Sequence, residues 1–230
     1  MIRTRLTVIA AAAVIALSGC GGSSDGAKST SDVSNLSADA LLVKAKGEVG
    51  SNQTISVKGT GVDAGSKMVV NLTFVGKDSS GTIEIDGDKI KLLSVDGKSY
   101  FKAEDSFWKS QAADQADQII ALVNGRWIKA DGSSDYADLV TLAKRSFITS
   151  ALKPDGTLKK GTPKTISGVD CLALIDGSSG TLYVAKDDGR PIQLASKKSS
   201  DGDLKFTYDK AAAPKAPKAS DVFDFASVTG

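Results

Sequence analysis

The 230-residue chain contains no histidine. That excludes Ser-His-Asp and Cys-His nucleophilic catalysis, histidine-ligated metals and an imidazole switch near neutral pH. Cysteine is nearly absent as well, with Cys20 and Cys171 alone, and prolines number five. Aromatic residues make up 6% of the chain, so its core must be built from aliphatic side chains. No sign of charge dominates, 29 basic residues facing 27 acidic ones. The apolar run at residues 6–17 falls short of the roughly 20 residues that a membrane-spanning helix needs.

That run is informative for what surrounds it. Arg3 and Arg5 precede it, and Leu17-Ser18-Gly19-Cys20 closes it. Together they have the form of a secretory leader ending in a bacterial lipobox. The lipobox implies cleavage after Gly19, leaving residues 1–19 as signal peptide, and covalent diacylglycerol with a palmitate-type acyl chain on Cys20. Losing Arg3 and Arg5 brings the basic residues level with the 27 acidic ones. No net basic field then argues for nucleic acid as a partner; attachment to the cell membrane, on its extracytoplasmic face, is expected through the acyl anchor. Cys171 is left as a single thiol in an extended-looking segment and reads as a small buried hydrophobe.

Residues 20–36 form the lipidated cysteine and a Gly/Ser/Thr/Asp tether, too polar to order themselves. A single domain is expected over 37–230. The spacing predicts helices near 37–47, 106–123 and 135–152. From Thr54 the apolar period becomes two, and Asp86-Gly87 and Asp96-Gly97 mark hairpin turns. A second set of strands is expected over 165–175, 181–186, 191–197 and 203–209, followed by an Ala/Pro/Lys stretch and the apolar tail Val222-Phe223-Asp224-Phe225. Short connections make the strands antiparallel. Strands and helices in separate runs predict an α+β fold, one large curved antiparallel sheet with helices packed on its concave face around an apolar cavity. The candidate cavity-lining residues are Val57, Val70, Leu72, Phe74, Ile83, Ile85 and Leu92 from the sheet, with Ile119, Ile120, Leu139 and Leu142 from the helices. Trp108 and Trp127 flank the central helix, either as packing anchors or at a cavity mouth.

The lipobox, tether and leading helix are followed by Val95-Asp96-Gly97-Lys98-Ser99-Tyr100-Phe101-Lys102, Phe107-Trp108 and Gly125-Arg126-Trp127-Ile128-Lys129. Later come Ile166-Ser167-Gly168-Val169-Asp170, Thr181-Leu182-Tyr183-Val184-Ala185 and Asp188-Gly189-Arg190-Pro191-Ile192. In this order they resemble actinobacterial lipoproteins of the LppX/LprAFG type, and more distantly the LolA/LolB lipoprotein carriers. The resemblance implies a half-barrel closed by helices around a cavity for acyl chains, and lipid or glycolipid transport at the cell envelope.

Motifs suggestive of catalysis or cofactor binding fail on context. Gly22-Ser23-Ser24-Asp25-Gly26 has the nucleophile-elbow spacing but lies in the tether, with no histidine in the chain. Gly59-Thr60-Gly61 with Ala64 fits a relaxed dinucleotide fingerprint, yet a strand follows it. Asp86/Asp88 and Asp201/Asp203 lack the further oxygens of a calcium loop. No catalytic residue, metal site or cofactor is expected beyond the acyl group and a bound lipid. Filled and hollow cores share one periodicity, so two readings stand. One is a non-enzymatic, membrane-anchored binder or carrier of a lipid or amphiphile. The other is an interaction or sensor module with a filled core that meets an envelope protein partner.

Overall fold

The computed structural model describes residues 32–63, 65–130, 136–177 and 179–224. The leader, Cys20 and most of the tether lie outside the described residues. The described chain belongs to one unit, Ser31–Gly230.

Helix α1 (Ala38–Ser51) begins where expected. Ser37 accepts the Ala40 N–H at 3.2 Å as its N-cap, and Leu41, Ala45 and Val49 form the buried face. Such a cap contributes about 1 kcal/mol. Packing begins earlier than residue 37, because Val33 is already part of the main core. An antiparallel meander follows: β1 (Thr54–Asp63), β2 (Ser66–Val75), β3 (Asp78–Ile85), β4 (Asp88–Val95) and β5 (Lys98–Ala103). Asp86-Gly87 and Asp96-Gly97 both hold positive φ, the requirement of a two-residue type I′ hairpin turn.

The expected helix over 106–123 is broken into α2 (Asp105–Ala112) and α3 (Ala116–Val123) by Ala113 at φ 42°. The cause lies in phasing. At about 100° per residue, Ala116 would stand opposite Phe107 on one straight helix, yet both are buried. The break turns each apolar face onto the sheet. The segment expected as a helix over 135–152 is likewise α4 (Ala137–Thr141) and α5 (Arg145–Ala151), separated at Lys144, which is extended. Between these pairs runs β6 (Trp127–Ala130).

The second meander contains β7 (Leu158–Lys160), β8 (Lys164–Ile166), β9 (Val169–Asp176), β10 (Gly180–Ala185), β11 (Pro191–Ser196) and β12 (Asp203–Thr207). The strand expected over 165–175 is a hairpin, β8 turning into β9 through Ser167-Gly168, both at positive φ. The apolar tail becomes β13 (Val222–Asp224), which pairs parallel with β6. Every other pairing is antiparallel. Strand β12 lies beside β1 and joins the two meanders into one curved, unclosed 13-stranded sheet, in the order β13-β6-β5-β4-β3-β2-β1-β12-β11-β10-β9-β7, with β8 also on β9. The fold is α+β, as expected.

The register aligns one apolar face across nearly the whole sheet. Phe223, Ile128, Phe101, Leu92, Gly81, Leu72, Val57 and Phe206 form one row. The next contains Ile90, Ile83, Val70, Gly59, Leu204, Leu194, Leu182 and Leu174. All five helices contribute to the core on this inner face. Gly59 (φ 150°) and Gly81 (φ 154°) sit within the rows, and a Cβ there would lie 1.8 Å and 2.0 Å from a neighbouring strand's carbonyl oxygen. Only glycine allows that close approach, and such positions bend a sheet.

Candidate functional site

The inner face is covered unevenly. Over β3–β6 it carries an aromatic cluster. Trp108 meets Phe107 and Tyr136 edge-on at 5.1 and 5.7 Å, and Phe101 lies 5.1 Å from Tyr136. Trp108 is fully buried there, whereas Trp127 packs on Leu93, Val95 and Tyr100 on the opposite face. Both are packing anchors.

Over β1 and β12–β9 the cover is thinner. Helix α5 has seven residues, and Pro154 follows three residues after it. Beneath its C-terminal end Gly61 faces Met68, and Gly59 faces Val70 and Leu204. Two inner positions of β1 thus project no side chain. An opening of about 500 Å³ lies here, lined by Gly61, Val62, Met68, Val70, Phe147, Leu194 and Leu204 among others. A second, of about 440 Å³, adjoins it through Val62, Ala151, Lys153, Asp155, Ser179, Leu194 and Ser196, and adds Leu42, Leu152, Leu158, Leu174 and Leu182. Together they make an apolar groove between α5, α1 and the sheet. Each volume falls within the roughly 300–1,000 Å³ of small-molecule sites.

The groove is held from both ends. The Arg145 guanidinium donates to the carbonyls of Val49 (2.6 Å), Gly76 (3.2 Å) and Gln53 (3.3 Å), and covers the Phe74 ring at 5.6 Å. It ties the start of α5 to the end of α1 and to the β2–β3 turn; burial lowers its pKa below the ordinary arginine value. Buried Ser79 donates to the Ala143 carbonyl at 2.6 Å, fixing the residues ahead of α5. At the rim, the Asp155 N–H donates to the buried Asp176 carboxylate at 2.7 Å, Ser179 Oγ donates to Asp155, and Lys197 Nζ donates to the Gly177 carbonyl at 2.7 Å. The mouth is therefore polar and the interior apolar. Such an arrangement can bury methylene groups, at about 0.8 kcal/mol each, while a polar group stays in water.

The expected cavity residues divide in three. Val57, Leu72, Phe74, Ile83 and Leu92 are at most 1% exposed and interlock within the main core. Val70 lines the groove. Ile85 and Leu139 line a separate opening of about 550 Å³ with Ile90, Phe107 and Tyr136, over the other half of the sheet. Ile119, Ile120 and Leu142 are half-buried against the core and line none of these openings. Sequence reasoning missed Met68, Leu194, Leu204, Leu174 and Phe147. The signal lay in Gly59-Thr60-Gly61, two glycines on the face that Ile55 and Val57 establish.

Cys171 is buried with Ala185 and Ile192 on the outer side of β9, and burial pushes its thiol pKa up. That is the setting of a packed, unreactive thiol. Among the described residues no helix is long and apolar enough to cross a membrane.

No family model matches the chain, and no curated protein matches it. Among solved structures it is similar to LprF from Mycobacterium bovis, at 9% identity and a TM-score of 0.47, over 77% of this chain and 96% of that one. It is also similar to the Mycobacterium tuberculosis lipoprotein LppX, at 11% identity and a TM-score of 0.37, over 76% and 99%. MucB matches at 15% identity and a TM-score of 0.35, over 77% and 60%. At these identities, with every TM-score below 0.5, the likenesses assign neither ligand nor partner to this chain.

Proposed function

We propose that the protein is a non-enzymatic, lipid-anchored envelope protein that binds or carries an amphiphile, its acyl part in the groove beneath α5 and its polar part at the Lys153/Asp155/Ser179 rim. The carrying observation is the groove itself. Its apolar lining includes Met68, Val70, Leu194 and Leu204, and Gly61 among them supplies no side chain and faces open space. Transfer between bilayer and groove exchanges one apolar setting for another, so it needs no chemical step and shape and rim contacts set selectivity. The lipobox at Leu17-Ser18-Gly19-Cys20 supports the anchor.

The test is native mass spectrometry with organic extraction of protein carrying Cys20→Ala, which removes the covalent acyl group. A noncovalent amphiphile is expected, lost from a variant whose groove is filled. The second reading, an interaction module, is favoured by the interlocked packing of Val57, Leu72, Phe74, Ile83 and Leu92. It predicts no bound lipid under any extraction.

A further inference from the structure

The tether joins the domain beside the groove. Val33 N–H donates to the Lys186 carbonyl at 3.0 Å, Lys160 Nζ donates to the Ser34 carbonyl at 2.5 Å, and Lys186 Nζ lies 3.6 Å from the Asp32 carboxylate. Lys160 belongs to β7, the terminal strand of the sheet. Two residues earlier on that strand, Leu158 lines the groove, about 7 Å away at the strand rise per residue. The point where the chain leaves toward Cys20 and the mouth of the groove therefore share one edge.

That edge is also locally cationic. Residues 153–164 carry Lys153, Lys159, Lys160 and Lys164 against Asp155 alone, in a chain whose 29 basic and 27 acidic residues nearly cancel. All four lysines are exposed. Of the nearby carboxylates, Asp32 pairs with Lys186. Asp155, Asp170 and Asp176 accept from Ser179, Thr165 and the Asp155 N–H, neutral donors that leave their charge in place, so four lysines stand against three carboxylates. Lysines on an edge strand also discourage pairing with another chain. That role does not account for Lys153, which lies outside β7 at the rim of the groove.

We propose that this edge is the face the domain rests on an anionic bilayer, with Lys153, Lys159, Lys160 and Lys164 over lipid phosphates and the groove mouth at Leu158 turned toward the membrane. The inference rests on Cys20 being the acyl anchor. Eleven residues lie between Cys20 and Asp32, a span of at most about 40 Å, so the edge bearing Asp32 is kept within that distance of the lipid. Opposite charge at the surface then acts within a Debye length of about 10 Å at 0.1 M salt.

The test is amine footprinting of the purified full-length lipoprotein in vesicles of phosphatidylglycerol with phosphatidylcholine, and of phosphatidylcholine alone. Labelling of each lysine by a water-soluble acylating reagent is read by peptide mass spectrometry. Lys159, Lys160 and Lys164 are expected to label several-fold less on the anionic vesicles, with the protection lost in 1 M salt. Lys67 and Lys91, exposed on β2 and β4, are expected to label equally on both. Equal labelling of the edge lysines on both vesicles overturns the inference, as does protection centred on Lys67 and Lys91, or a purified protein without the diacylglyceryl group. Lys159→Glu combined with Lys164→Glu is expected to abolish the difference between vesicles, and persistence of the difference also counts against the inference. Cargo is read separately, by extraction from the Cys20→Ala protein. Retained amphiphile without edge protection rejects the docking face alone, and edge protection without amphiphile rejects the groove alone.

Discussion

Gly61 offers the sharpest test of whether the groove is open. An ideal Cβ at Gly61 meets nothing within 4 Å, and its φ is not in the left-handed region. Its partner in the register is Met68, and it lines the groove opening of about 500 Å³. Gly61→Leu should therefore place a side chain in the groove without moving the backbone. Relief of glycine's entropy cost contributes about 0.5–1 kcal/mol, and partial burial of the leucine adds to it, so the melting temperature should hold or rise. Four carbon atoms of the side chain displace about four methylenes of an acyl ligand, at ~0.8 kcal/mol each. The loss is about 3 kcal/mol, on the order of a hundredfold in Kd. Gly59, two residues earlier on the same face, is the control. There a Cβ would stand 1.8 Å from the Asp203 carbonyl oxygen, at φ 150°, so Gly59→Ala must part β1 from β12 and should destabilise by about 2–3 kcal/mol or more. Urea denaturation and native mass spectrometry of the two variants are the assays. If Gly61→Leu is as destabilising as Gly59→Ala, the space beneath α5 is not there. If it is stable and retains its lipid in full, the groove is not where the lipid sits.

Ser79→Ala should cost about 1–3 kcal/mol in urea denaturation, because it leaves the Ala143 carbonyl without its donor; a change under 0.5 kcal/mol would mean that bond does not position α5. Burial raises the Tyr208 phenol pKa well above its ordinary 10.0. Tyr208 thus contributes stability that is complete below about pH 10 and declines as the unfolded chain, but not the folded one, loses the proton at higher pH. Denaturation midpoints should fall above pH 10 in the wild type and less steeply in Tyr208→Phe. The Cys171 thiol, buried and raised in pKa, should react with a disulfide reagent at pH 8 only at the rate of unfolding, and prompt reaction would contradict its packing. Cys20→Ala protein should leave the membrane fraction; retention equal to wild type after a salt wash would show that something other than the acyl group holds it.

The hairpins were legible because their chemistry is local. Asp86-Gly87 and Asp96-Gly97 need positive φ at both positions, and Asp-Gly supplies it. Alternation at Val70, Leu72 and Phe74 correctly assigned the inner face of β2. What could not be read depends on residues far apart in the chain. The pairing of β12 with β1, the parallel docking of Val222–Asp224 on β6, and the breaks at Ala113 and Lys144 arise from packing that no window of sequence contains. The site suffered most. An inner-face aliphatic residue has the same neighbours in sequence whether a helix covers it or not, so Leu72 and Val70 looked alike although only Val70 lines the groove.

The two halves of the inner face explain how a well-packed core and an open groove coexist. Burial of aliphatic side chains contributes about 1.5–3 kcal/mol each, and in the half under the aromatic cluster Phe101, Trp108, Ile83 and Leu92 are fully enclosed, although Ile85 and Leu139 border an opening there. The other half leaves Leu194 and Leu204 incompletely covered and forfeits part of that contribution. Arg145 and Ser79 compensate at the N-terminal side of α5, where four hydrogen bonds reach backbone carbonyls. The residues at and beyond its C-terminal end, Ala151, Lys153 and Asp155, border both openings. Helix α5 is only seven residues long, and a small tilt of its C-terminal end against the Asp155–Asp176 contact would widen or narrow the groove. The core beneath the aromatic cluster need not repack when it does so. Ligands of different chain length would then be accommodated at the Lys153 end of the groove, and selectivity in length should change with substitutions at Phe147 and Ala151 rather than at Phe74 or Leu72.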